Sequence, residues 1–367
     1  MSTAHPDHPY FNAFNTIAQI GSVRLRKLLN YFPNLETAWR APGTELASAG
    51  LENTIVEKII EARSTLDVER EFGRLETLGI DLCTWSDEGF PKLLREIPNP
   101  PIVLYVRGAF QKKDEISIAV VGTRKMSTYG KQAVEELTAS LVRAGLTIVS
   151  GLALGIDALA HRTAVDTSGR TIAVLACGLD SIYPAANRSL GEAILQSGGA
   201  LVSELPLGTP PLKHHFPFRN RIISGMSLGT LVVEAAADSG SLITARHALE
   251  QNRQVFAVPG SIFNPASVGP NNLLKMGAKP VTDVRDILEE LNLGSRETQI
   301  LTQEIIGDNP EEDAIIKILK REPTHVDLII KSSGLPAPIV AATLTIMEMK
   351  GKARNLGANQ YVISRQN

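Results

Sequence analysis

The sequence has only two cysteines, Cys83 and Cys177, far apart and without metal-ligand spacing. No disulfide framework is implied, and a reducing cytoplasm is the expected setting. Cys177 closes the apolar run TIAVLAC and reads as a small buried hydrophobe. No stretch approaches the roughly 20 apolar residues of a membrane span. The polar start MSTAHPDHPY lacks the apolar core of a secretion signal, so a cytoplasmic protein with no membrane partner is expected. An excess of charge is missing too: 37 Lys and Arg stand against 39 Asp and Glu, a formal net charge of −2. Any attraction to a polyanion must therefore come from a local patch.

Familiar catalytic signatures are also absent. The turn VVGTRKMSTYG does not have the G-x-G-x-x-G spacing of a dinucleotide site, and Gly130-Lys131 is followed by Gln132, which excludes a P-loop. Ser150 lacks the G-x-S-x-G surroundings of a nucleophile elbow. His214 and His215 have no Cys or His partners at ligand spacing. Asp157 and His161, four apart on one helix face, read as a packing or surface pair because no nucleophile accompanies them. No catalytic residue, metal or cofactor is expected.

What is present organises 367 residues into several parts. Apolar residues at three- and four-residue spacing make Phe11 to Thr77 helical, in three stretches joined first by the turn QIGS. Such a turn can hold a DNA phosphate on its amides, as in helix-hairpin-helix modules, or simply pack; packing is the favoured reading. A proline-rich extended connector, IPNPPIVLYVRG, follows. From Ile116 onward strands (ISIAVVG, LTIVSG, TIAVLACG, ALVSE, LGTLVVEA, QVFAVPG, KPVTD) alternate with helices. Apolar strands without polar alternation belong in a parallel sheet covered on both faces. The fold class is thus α/β, doubly wound and Rossmann-like in its centre, with an N-terminal helical domain (SAM or helix-hairpin-helix-like) and a C-terminal winged helix. The expected domains are 1–79, 80–292 and 313–367, with a polar linker over 293–312.

In such sheets ligands bind beyond the carboxyl ends of the strands. Gly122, Thr123 and Arg124 turn out of one strand; Ser150, Gly151 and Gly155 leave another; Ser239 and Gly240 precede a later helix. Glycines let backbone amides approach an anion, and helix N-termini favour it. A further segment, read as a loop, is KHHFPFRNRIISGMS, with Lys213, Phe216, Phe218, Arg219, Asn220 and Arg221; no acidic residue lies between Glu204 and Glu234 to neutralise it. Cations for phosphates and a ring for bases are the needs of a single-strand binder. At least one of Phe216 and Phe218 is expected in the core, and either arginine could instead bind a carboxylate such as Glu234.

VVGTR, SGLALGIDALAH, FPFRNRIISGMS, VVEA with SGSLITARHALEQNRQVFAVPG, and GPNNLLKMGAK together resemble the DNA-processing protein A family (DprA/Smf) over roughly residues 80 to 290. The resemblance implies a non-catalytic single-stranded DNA binder of natural transformation, loading of the RecA recombinase, and a homodimer built through the α/β domains. It assigns the phosphate pocket to Gly122, Thr123 and Arg124, with Ser150, Gly151 and Gly155 nearby. Lys213, Phe216, Arg219, Asn220 and Arg221 match the family's basic and aromatic motif, with Arg124 and Lys213 at phosphates and Phe216 under a base. The recognition-helix segment PAPIVAATLTIMEM has no basic residue, whereas Lys350, Lys352 and Arg354 open the wing. The wing is therefore expected to give weak duplex contact, or the module to bind protein. The rivals are a phosphoribohydrolase-like enzyme, whose PGG-x-GT-x-x-E loop the chain does not reproduce at SLGTLVVEA, and a scaffold that binds RecA alone.

Overall fold

The computed structural model describes residues 5–294, 307–319, 323–357 and 359–363. The chain divides into two compact units, Met1–Glu297 and Thr298–Asn367. Most of the linker expected over 293–312 lies outside the described residues.

The first unit begins with six helices where the sequence shows three helical stretches: α1 (His8–Thr16), α2 (Ser22–Tyr31), α3 (Leu35–Arg40), α4 (Gly43–Ser48), α5 (Asn53–Thr65) and α6 (Val68–Thr77). Asn34 and Asp67 cap α3 and α6 by accepting from the amides of Thr37 and Arg70. The helices bury Phe14, Leu28, Leu46 and Ile59 in a core that continues into one face of the sheet through Tyr105, Ala173 and Leu201. The QIGS turn is a packing turn: Ser22 Oγ donates to Glu204 Oε1 at 3.0 Å and accepts from the Ile102 amide at 3.2 Å.

The rest of the unit runs β1 (Ile80–Thr84), α7 (Lys92–Arg95), β2 (Val103–Gly108), β3 (Ser117–Val121), α8 (Thr128–Arg143), β4 (Thr147–Ser150), α9 (Ile156–Asp166), β5 (Thr171–Val174) and α10 (Arg188–Gln196). It continues with β6 (Ala200–Ser203), α11 (His215–Gly225), β7 (Gly229–Val232), α12 (Ser241–Glu250), β8 (Gln254–Ala257), α13 (Val268–Lys275), β9 (Lys279–Pro280) and α14 (Val284–Glu290). These strands form one nine-stranded sheet in the order β1-β2-β6-β5-β4-β3-β7-β8-β9. Every residue of β3 to β7 is buried, because helices cover both faces. The sheet is not wholly parallel, however. The connector strand β2 adds antiparallel to β6, and β1, unread in the sequence, adds antiparallel to β2. An antiparallel edge on a parallel sheet is a common extension of doubly wound folds.

A second correction concerns KHHFPFRNRIISGMS, which is mostly helix rather than loop: α11 starts at His215. Pro217 falls in its first turn, where a missing amide proton costs nothing. Ile222, Ile223 and Met226 then anchor its later turns in the core beside Leu94 and Ile97. His214 and His215 consequently lie together, ring centroids 4.3 Å apart, instead of pointing apart on an extended chain.

In the second unit α15 (Pro310–Ile316), β10 (Thr324–His325), α16 (Val326–Ser333), α17 (Ala337–Met349), β11 (Ala353–Gly357) and β12 (Gln360–Ile363) form a winged helix. The two-stranded tail gains a third strand, giving the order β10-β12-β11. Ile315, Ile329, Val340, Leu344 and Met347 fill its core. The wing lysines are not presented to a duplex. Lys350 Nζ reaches Asp308 at 2.7 Å and Glu312 at 2.6 Å, and Lys352 Nζ reaches the same two acids at 2.6 and 2.9 Å. Ile339, Ile346 and Met349 of α17 are exposed.

Burial would raise the Glu312 pKa, but the Asp308 amide and the two ammonium groups outweigh it and bring it to about 2. Hydrogen bonds from Lys350 and Lys352 hold Asp308 at about 2 as well. Carboxylates with depressed folded-state pKa values contribute stability above their ordinary range, and lose it as the pH falls toward 2. Glu312→Gln is therefore destabilised relative to the parent at pH 7, and the gap in calorimetric unfolding of the C-terminal unit narrows between pH 4.5 and pH 2. A gap independent of pH contradicts the assignment.

Candidate nucleic-acid interface

The chain passes from β3 to β4 on one side and places β7 on the other, so the carboxyl end of β3 is a topological switch point. Two of the glycine turns meet there. The amide of Thr123 donates to Glu234 O at 2.7 Å, fixing the turn after β3 to the end of β7. The Ile156 amide donates to Thr123 O at 3.1 Å, fixing that turn to the start of α9. Gly155 has φ +79°, and a Cβ there would strike Thr123 O and Arg124. Gly122 is enclosed in the same way, its hypothetical Cβ meeting Ile156 at 2.6 Å and Glu234 O at 2.8 Å. Glycine is thus required for the two turns to interlock.

Helix α11 crosses this end of the sheet. Arg219, 7% exposed, lies against Gly151 so closely that a Cβ on Gly151 would coincide with its Nη1. Its Nε and Nη1 have no hydrogen-bond partner among the described residues. Burial pushes the Arg219 pKa down, Asp157 opposes the shift, and Arg124 adds to it; a guanidinium nonetheless stays charged. Arg219 therefore supplies a fixed positive field beneath the pocket. Asp157 Oδ2 accepts from the Gly151 amide at 3.1 Å, and burial pushes its pKa up against the pull of Arg219. His161, wholly buried, is lowered to about 3 by burial and by Arg219, so it is neutral, and its Nδ1 sits 2.7 Å from Thr171 Oγ1. Of the two residues noted in the sequence, Asp157 secures the Gly151 turn and His161 meets β5.

Above this layer Phe216, half-buried, carries the Arg124 and Arg219 guanidinium carbons at 5.8 and 5.9 Å from its ring centroid. Phe218 is 63% exposed, and Phe216 is outside the core clusters, so neither phenylalanine fills the core as expected. The helical turn explains this: with Arg219, Ile222 and Ile223 directed inward, positions 216 and 218 are left at the margin and on the outside. Arg124 and Lys213 are exposed and have no ion pair among the described residues. Asn220 Nδ2 donates to Gly240 O at 3.2 Å, which joins the α12 turn to the group, while Ser239 Oγ pairs with Ser241 Oγ at 2.8 Å.

Two of the residues face elsewhere. Ser150 Oγ is buried and donates to Val120 O at 2.6 Å. Arg221 makes a forked pair with both Glu204 oxygens at 2.8 Å, so the carboxylate it meets is Glu204 and not Glu234. One of the three cations of the stretch is therefore neutralised, by an acid brought in from the end of β6. Sequence reasoning passed over Glu204 in that role, and passed over Tyr183, whose exposed ring meets Phe216 edge-on at 6.0 Å and 63°. A lone tyrosine in GLDSIYP has no spacing that marks it.

Among the described residues no cluster of three His, Cys, Asp or Glu could hold a metal, and no single helix is long and apolar enough to cross a membrane. Gly151→Ala should displace Arg219 and lower stability by about 1–3 kcal/mol, read as a fall in Tm. Gly240→Ala, where a Cβ meets open space, should melt with the parent.

Residues 81–292 match the family described as DNA recombination-mediator protein A, and residues 301–359 match the DprA winged helix domain. Protein Smf of Synechocystis is 36% identical, covering 95% of this chain and 96% of its own; DNA processing protein DprA of Bacillus subtilis is 41% identical, covering 73% and 93%. The X-ray structure of DprA from Streptococcus pneumoniae superposes with a TM-score of 0.65 at 36% identity, over 77% of this chain and 95% of that one. DprA from Helicobacter pylori, a structure described for its unique single-stranded DNA binding mode, superposes at 0.52 with 30% identity, over 58% and 95%. With the α/β unit and the winged helix both matched, this chain belongs to the DNA recombination-mediator protein A (DprA/Smf) family.

Proposed function

We propose that the chain is a cytoplasmic, non-catalytic single-stranded DNA-binding protein that protects strands taken up in natural transformation and loads RecA onto them. The observation that carries this reading is the meeting of Arg124, Arg219 and Phe216 at the switch point of the sheet, beside glycine turns and without an activated nucleophile. The single-strand binding mode described for the Helicobacter pylori relative supports it. Phosphates meet Arg124 and Lys213, and a base stacks on Phe216. RecA loading and a homodimer through the α/β unit rest on family membership. Ile262, Phe263 and Met276, exposed beyond β8 and α13, offer an apolar surface for the dimer. The exposed α17 side chains favour protein contact over duplex reading in the winged helix.

The enzyme reading is disfavoured by Glu234. Its carboxylate is 1% exposed and accepts from the Ser127 amide at 2.8 Å, from Ser127 Oγ at 2.6 Å and from Asn264 Nδ2 at 3.2 Å. It anchors the N-terminus of α8 and has no path to a substrate. Release of free base from nucleoside monophosphates, abolished by Glu234→Gln, would overturn the ranking.

Fluorescence anisotropy on an unstructured oligonucleotide tests the binding itself. Arg124→Ala and Lys213→Ala should each weaken affinity with melting unchanged, and each should reduce the salt slope by about 0.7 for the phosphate it no longer neutralises. Unaltered affinity in both variants would contradict the proposal. For the loading step, RecA nucleation on the same strand should accelerate when this protein is added.

A further inference from the structure

The Phe216 platform has an aromatic neighbour. Tyr183, in the loop after β5, is 45% exposed, and its hydroxyl makes no hydrogen bond among the described residues. A single exposed ring is ordinary. This one stands 6.0 Å from Phe216, with the two planes inclined at 63°, on a ring flanked by the Arg124 and Arg219 guanidinium groups. An aromatic face open to solvent beside such cations is what a base-stacking site requires. Edge-on contact with Phe216 leaves the faces of the two rings directed differently.

We infer that Tyr183 is a second stacking platform, so that two successive bases are held on Phe216 and Tyr183 with the strand bent between them. The inference rests on the single-strand reading above and extends it. Bases in a duplex lie parallel, with a rise of about 3.4 Å. Two bases that each follow a ring in a pair inclined at 63° cannot remain parallel. A strand accepts the bend by giving up one base–base stack and replacing it with two base–ring stacks; a duplex would also have to break its pairs. Preference for unpaired DNA then arises from the angle between two side chains, without any base-specific hydrogen bond.

The test uses the full-length chain and a short abasic strand carrying no base, one thymine or two adjacent thymines, with anisotropy at fixed salt. A base stacked on an aromatic contributes about 1–3 kcal/mol, so each thymine should tighten binding to the parent by about fivefold or more. Tyr183→Ala should keep the gain from the first thymine and lose the gain from the second, whereas Tyr183→Phe keeps both. If Tyr183→Ala keeps the second gain, the inference fails. If it loses the first gain as well, the ring merely props Phe216, and the inference again fails. Phe216→Ala likewise leaves one platform and should keep one gain and lose the other; if it keeps both, the stacking role of Phe216 falls and takes this extension with it, an outcome separate from the two others.

Discussion

The contact between the Arg219 guanidinium and the bare Cα of Gly151 organises the candidate interface. A buried cation is tolerated only where an opposing charge or dipole answers it. Here Asp157, which also fixes the Gly151 amide, acts on it through space, with no ion pair between them among the described residues. Three elements, β4, α9 and α11, thereby meet at a single arginine. The position of Phe216 follows, since α11 cannot rotate without drawing Arg219 off its glycine. The candidate surface is held by a charge that hardly touches solvent.

Sheet topology decides where this happens. Divergence of the chain at β3 opens a crevice, and the glycine turns fill it from both sides. The antiparallel pair β1 and β2 does not take part in the crevice; it extends the sheet so that the N-terminal helices can share its core. The result is a division of labour between one end of the sheet, which presents cations and an aromatic ring, and one edge, which carries an accessory module.

Much of this was legible from local pattern. Uninterrupted apolar strands and glycine turns mark themselves within a few residues, so the doubly wound core, the turns after β3 and β4, and the winged helix could be read directly. Features that depend on distant partners could not. The strand IDLCT gives little sign of itself because it is an edge strand paired antiparallel to β2 and one of its side chains faces water. Prolines at 210, 211 and 217 disguised the start of α11 as a loop. That Arg219 is buried and Arg221 paired are tertiary facts: adjacent basic residues look alike in a sequence, and only the helix separates their directions. The wing lysines misled for the same reason, since Asp308 and Glu312 precede them by about forty residues.

Glu204 ties this arrangement to the N-terminal helices. Its Oε1 accepts from Arg221 on α11 and from Ser22 at the head of α2, while its carbonyl accepts from Asn15 on α1 at 3.0 Å. A pull on the first two helices is therefore a pull on the carboxylate that steadies the helix bearing Phe216. Among the described residues the N-terminal module contributes none of the candidate groups, yet it holds a lever on them, and anything that docks on that module gains mechanical access to the proposed grip on the strand.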